Sequence, residues 1–156
     1  MLNRFPIVLV AVGTAFSLAA GLANAKAEAA NPYQQLRMQL FSGVPTTAIF
    51  SPSQCQSGQQ AQTKAPVPIV SGGFAIRDFM EVNGNTIAFA DQHFTVQPNG
   101  SPVLELIQYR VTQNDSATVT VRSLSPTTYQ AVAEPRVFQC VLGDGLRFAY
   151  TSRERD

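Results

Sequence analysis

The chain has 156 residues, with 11 Lys and Arg against 10 Asp and Glu, 10 Phe, 4 Tyr and no Trp. That length supplies one domain with a modest core. The near-neutral charge holds no run of like sign, which argues against the basic patch by which a nucleic-acid binder grips phosphates.

The opening MLNRFPIVLVAVGTAFSLAAGLANAKAEAA places Arg4 before an uncharged apolar run over residues 7–22. Ala23-Asn24-Ala25 follows as an A-x-A cleavage signal. Residues 1–25 therefore read as a secretory signal peptide, with Lys26 the first residue of a mature domain running to Asp156. A weaker cleavage site follows Ala27-Glu28-Ala29. A run this long approaches the length of a membrane helix. Its early position, the A-x-A motif and the missing basic stop-transfer cluster favour cleavage instead. No cysteine follows closely enough for a lipid anchor, and no second apolar span occurs later. The expected location is periplasmic or secreted, with no stable membrane span after cleavage. Loss of Arg4 leaves 10 basic side chains against the 10 acidic ones.

Asn31-Pro32 starts one short helix over "NPYQQLRMQLFSG": Asn31 suits the N-cap and Pro32 the first turn. Leu36, Leu40 and Phe41 form its apolar stripe, and Gly43 ends it. Such a helix packs on a sheet or plugs a barrel mouth. "VPTTAIF" reads as a strand, and "SPSQCQSGQQAQTKAPVP" as a long polar loop. Alternating segments follow: "GGFAIRDFMEV", "TIAFADQHFTVQ", "VLELIQYRVTQ" and "ATVTVRSL", separated by "NGN", "PNGSP" and "NDS". Asn-Gly between alternating runs is a strong hairpin signal. Two late strands, near 136–142 and 146–151, flank "GDG", and residues 151–156 form a short charged tail. The pattern predicts a mainly β domain of seven or eight strands: a small antiparallel barrel or strongly curved sheet with one N-terminal helix.

Side chains alternate faces along a strand, so parity predicts partners. Phe74, Ile76, Met80 and Val82 share a face with Asp78; Val103, Ile107, Tyr109 and Val111 share one with Glu105; Ala117, Val119 and Val121 share a third. In "TIAFADQHFTVQ" the apolar positions change from odd (Ile87, Phe89) to even (Phe94, Val96) around Asp91-Gln92-His93. One extra residue would do this, which predicts a bulge or bend there.

Cys55 and Cys140 are the two cysteines. In an oxidising compartment an even count predicts a disulfide. Closing so long a loop would stabilise the fold by about 4–5 kcal/mol in the chain-entropy picture. A Cys55–His93 nucleophilic dyad competes but needs a reduced thiol. A zinc site lacks local C-x-x-C spacing, so no metal and no cofactor is expected. The polar residues able to carry chemistry are Asp78, Asp91, His93 and Glu105, with Arg77 and Arg110 as nearby partners. A carboxylate pair facing one cavity could do acid–base work. Strand carboxylates more often pair with arginine or face water. No G-x-S-x-G elbow exists, and "GDG" precedes no helix that could cradle phosphate. No catalytic residue is assigned.

The order of signal peptide, helix, strand and Cys-bearing loop, then "GGFAIRDFMEVNGNTIAFADQHFTV" and "PVLELIQYRV", resembles the VirK proteins of plant-associated bacteria over roughly residues 32–150. The resemblance implies an exported periplasmic protein tied to virulence or host interaction, induced alongside plant-signal-responsive genes, with no established active site to carry over. The leading expectation is a non-enzymatic accessory protein that binds a protein or small ligand. A lipocalin-like carrier of a small apolar ligand, and a hydrolase using Asp78, Glu105 or His93, are the alternatives. A dry, packed interior argues against a carrier, and a lined cavity supports one.

Overall fold

The structure, a computed structural model, describes residues 30–57 and 70–151. The signal peptide, its cleavage site, most of the polar loop and the charged tail beyond Thr151 lie outside the described residues.

Helix α1 (Pro32–Phe41) begins as its sequence dictates. The Asn31 side chain accepts from the Gln34 amide at 2.8 Å, satisfying an amide that the first turn leaves unpaired. Tyr33, Leu36 and Leu40 are its buried side chains. Among the described residues nine strands follow: β1 (Thr46–Phe50), β2 (Gln56–Ser57), β3 (Gly72–Ala75), β4 (Met80–Val82), β5 (Thr86–Val96), β6 (Pro102–Thr112), β7 (Ser116–Leu124), β8 (Arg136–Val141) and β9 (Leu146–Tyr150). They form two antiparallel sheets, β3-β1-β9 and β2-β8-β7-β6-β5-β4.

Among the described residues the strands therefore form no closed barrel. Each sheet keeps two edges there, and the chain passes between sheets at corners. One corner is double. After β1 the chain turns through a 3₁₀ turn at Pro52–Gln54 into β2, and beside it β8 leads into β9. The Ser51 amide donates to the Gly145 carbonyl there at 2.9 Å. Cys55 and Cys140 form their disulfide at the same place, with Cα atoms 4.5 Å apart. Both cysteines are buried in the core, and the bond removes the reduced thiol that a Cys55–His93 dyad requires.

The second corner corrects the expectation that "GGFAIRDFMEV" is one strand. It contains β3 of the small sheet and β4 of the large one, and residues 76–79 cross between them. Ile76 still donates to the Thr46 carbonyl at 2.9 Å, but Asp78 lies in the crossing and not on a strand face. Phe74 and Ile76 pack on the core while Met80 points to solvent. The even-numbered apolar run Phe74, Ile76, Met80 and Val82 is interrupted at Asp78, where the chain changes sheet, and Phe79 packs on the core in place of Met80.

The predicted bulge at Asp91–His93 is also absent. The β5–β6 pairing runs in step from Thr86↔Thr112 to Val96↔Pro102 without an extra residue. A change of surroundings makes the apolar pattern change phase. Ile87 and Phe89 face the packed core; farther along the same face come Asp91 and His93, while Phe94 and Val96 sit exposed on the opposite face.

Between the sheets the layer is filled at one end. Leu36, Ile87, Val111, Val119 and Leu146 are fully buried there. Helix α1 caps this end. Its Tyr33 amide donates to Asp115 Oδ1 at 2.9 Å in the β6–β7 turn, and Arg37 grips Glu81 of β4 through two hydrogen bonds of 2.6 and 3.1 Å. At mid-layer Tyr109 is the hub of an aromatic cluster. It stacks on Phe89 at 4.9 Å and meets Phe74 at 5.2 Å and Phe50 at 5.9 Å, joining strands of both sheets.

Candidate functional site

Beyond Tyr109, away from the helix, the layer opens into a cleft of about 680 Å³. The large sheet supplies Asp91 and His93 from β5, Glu105 and Ile107 from β6, Val121 from β7, and Arg136 and Phe138 from β8. Phe50, Gly72, Gly73 and Phe74 supply the wall from the small sheet. Register explains why these side chains share a face. His93 stands opposite Glu105, Asp91 opposite Ile107, Ile107 opposite Val121, and Val121 opposite Arg136.

The floor is aromatic. Phe50 meets Phe138 edge-on at 5.5 Å and Tyr109 lies beneath. The rim is charged. Glu105 accepts a hydrogen bond from the Arg136 guanidinium at 2.9 Å, and its other oxygen lies 3.6 Å from His93 Nδ1. The Glu105 side chain is 22% exposed, against 59% for His93 and 50% for Arg136, so one shielded carboxylate sits between two solvent-facing groups. The Tyr109 hydroxyl is held far above the ordinary phenol range, mainly by burial and secondarily by the negative charge of Asp91.

The structure thus brings together three residues singled out from the sequence: Asp91, His93 and Glu105. Asp78 does not line that cleft; it lines a neighbouring one of about 810 Å³ with Arg77, Ala90, Gln92 and Arg122, and Asp91 borders both. Glu105 finds Arg136, not Arg110, whose parity on β6 is opposite to that of Glu105. Arg136 and Phe138 were legible in principle. Cys140 must face inward to bond Cys55, and residues two and four positions earlier share its face. Among the described residues no cluster of three His, Cys, Asp or Glu side chains has the placement of metal ligands. Among the described residues, too, no helix is long and apolar enough to cross a membrane.

Comparison with known proteins gives a consistent result. The family model for the VirK protein matches residues 29–129, which takes in α1 through β7. The uncharacterized protein y4wH of Sinorhizobium fredii is 30% identical over 142 residues, covering 91% of this chain and 95% of its own. An uncharacterized protein in the pinF2 3′ region of Rhizobium radiobacter is 28% identical over 114 residues, covering 73% of this chain and 77% of its own. A crystal structure of a VirK family protein from Legionella pneumophila superposes with a TM-score of 0.66 at 19% identity, over 77% of this chain and 97% of that one, and shares the fold. With a family model spanning most of the described fold and a relative matched over nearly the whole chain, the protein belongs to the VirK family.

Proposed function

We propose that this VirK protein is exported to the periplasm or beyond the cell and serves virulence or another contact with a host. It acts there by binding and not by catalysis. The signal-like N-terminus and the disulfide support export, since such bonds persist in oxidising compartments. Family membership motivates the link to host contact.

The observation that carries the binding reading is the half-filled layer between the sheets. A cleft of about 680 Å³ falls within the roughly 300–1,000 Å³ of small-molecule sites. Its aromatic floor under a charged rim suits an amphipathic ligand: a flat or acyl body against Phe50, Tyr109 and Phe138, and a polar head beside Arg136, Glu105 and His93. This keeps the carrier idea but moves the ligand from a barrel interior to an open cleft. Catalysis is disfavoured because the sulfurs are bonded to each other and the Glu105 oxygens are turned to Arg136 and His93.

Anilinonaphthalene sulfonate, an aromatic body with an anionic head, tests the site. Folded wild-type protein should bind it saturably at a single site. Ile107→Glu, which puts a negative charge in the cleft beside an anionic probe, should weaken binding at least about tenfold, or roughly 1.4 kcal/mol. Met80→Ser on the outer surface should leave it unchanged. Equal binding by all folded variants would refute the cleft as the site.

A further inference from the structure

Strand β5 has a second face to offer, its edge. β4 pairs only with Thr86, Ile87 and Ala88, so among the described residues β5 runs on unpaired on that side through Val96. Parity shows what the free edge presents. The Gln113 amide donates to the Asn85 carbonyl, and the Gln97 amide donates to the Ser101 carbonyl, both in the β5–β6 register. Odd-numbered positions of this strand therefore exchange hydrogen bonds with β6. In an antiparallel ladder the alternate residues turn their amides and carbonyls the other way. Ala90, Gln92, Phe94 and Val96 thus aim both groups outward, and no other described segment meets them.

This edge lacks most of the protection that natural sheets use. It has no proline, no lysine and no bulge over residues 89–96. Its polar cleft-facing side chains include Asp91 and His93. On the other face Phe94 is 63% and Val96 59% exposed, with the partly exposed Leu106 one strand over. The edge strands of the two sheets are short: among the described residues β2, β3, β4 and β9 have 2, 4, 3 and 5 residues. The cleft that holds Asp78 lies along this same edge, with Ala90, Asp91 and Gln92 on one side and Phe74, Ala75, Arg77 and Asp78 on the other. A row of alternating donors and acceptors beside a groove is complementary to an extended polypeptide.

We infer that the free edge of β5, from Ala90 to Val96, is a docking site for an extended peptide segment of a partner protein, which adds to the large sheet as a further strand. The guest chemistry follows from the two faces. Alternate residues are apolar, to cover Phe94 and Val96, and those between are polar, to face Asp91 and His93. The guest has no proline at positions that must donate. The inference does not depend on a ligand in the cleft.

Hydrogen exchange resolved to single amides tests it, with acetyl-KTVTVTVTK-amide as the probe. In the free protein Ala90, Gln92 and Phe94 should exchange fast and Asp91, His93 and Thr95 slowly. With peptide at about ten times its Kd, the fast set should slow about tenfold. Gln92→Pro removes an outward donor at a position where an edge strand tolerates proline. It should abolish the added protection while the β6 amides stay protected. Phe94→Lys, which keeps every backbone group, should weaken the probe and guards against a folding defect in the proline variant. Protection on β2, β3, β4 or β9 instead, or none, would overturn the site. Concentration-dependent protection of the same amides without peptide would also overturn it, because the occupant would then be a second copy of the chain.

Discussion

Tyr109 joins packing to chemistry in one side chain. Its ring bridges the sheets, and its hydroxyl lies under the cleft where burial and Asp91 oppose ionisation. The linkage sign follows. A phenol whose acidity is suppressed in the folded state keeps its proton after the unfolded chain has begun to lose its own, at about pH 10. Above that pH the unfolded state binds fewer protons than the native one, so stability falls as pH rises. Tyr33 and Tyr150 are raised too, also chiefly by burial. Urea midpoints followed from neutral to strongly alkaline pH should decline for the wild type. Tyr109→Phe should flatten that decline, and an unchanged slope would show that another group governs it. The rim behaves differently. Arg136 and His93 are too solvent-exposed for their contacts with Glu105 to weigh heavily on stability, about 0–1 kcal/mol for such pairs, so their value lies in what they present to a ligand.

At the scale of elements the double corner is the most tightly specified feature. Cys55→Ser, Cys140→Ser and the double variant should each lose roughly 2–5 kcal/mol, with the double little worse than either single, because one bond is lost in every case. Thermal melts and non-reducing peptide maps check this, and a Cys55→Ser protein that melts like wild type would sink it. Gly145 lies against the bond, where a Cβ would overlap Cys55 Sγ. Gly145→Ala should cost roughly 1–3 kcal/mol with the disulfide present, as overpacking does. It should cost measurably less beside Cys55→Ala and Cys140→Ala, a coupling that a double-mutant cycle reads directly. Much of this level was legible in the residues. Asn31 announced its helix, Asn83-Gly84 its hairpin, and the alternation of β6 and β7 their buried faces. The convergence of Asp91, His93 and Glu105 followed from strand parity once register was known. What failed shares one cause. Hydrophobic alternation reports burial, and burial depends on which sheet a strand joins and how far the core extends. Residues 76–79 change sheets at an interruption marked by Asp78, after which Phe79 and not Met80 packs on the core, and β5 leaves the core halfway along its length.

For the whole molecule, the export reading predicts a mature form beginning at Lys26. Mass spectrometry of the periplasmic fraction should find that N-terminus, and intact Met1 in the inner membrane would contradict it. Two sheets that meet at corners enclose a layer which the helix stoppers at one end, leaving the cleft at the other. The small sheet also has an order in time. Its central strand, β1, lies between β3 and β9, and Thr46 pairs with Tyr150 near the far end of the described chain. Contacts so distant in sequence form late. If the chain is exported as proposed, the first strand waits, unpaired on that side, until the last one has emerged. A premature stop before Leu146 would leave β1 without one of its two neighbours and the buried Leu146 contact unmade. On the export reading, a chain delivered short of its final strand is a chain left open to proteases beyond the inner membrane.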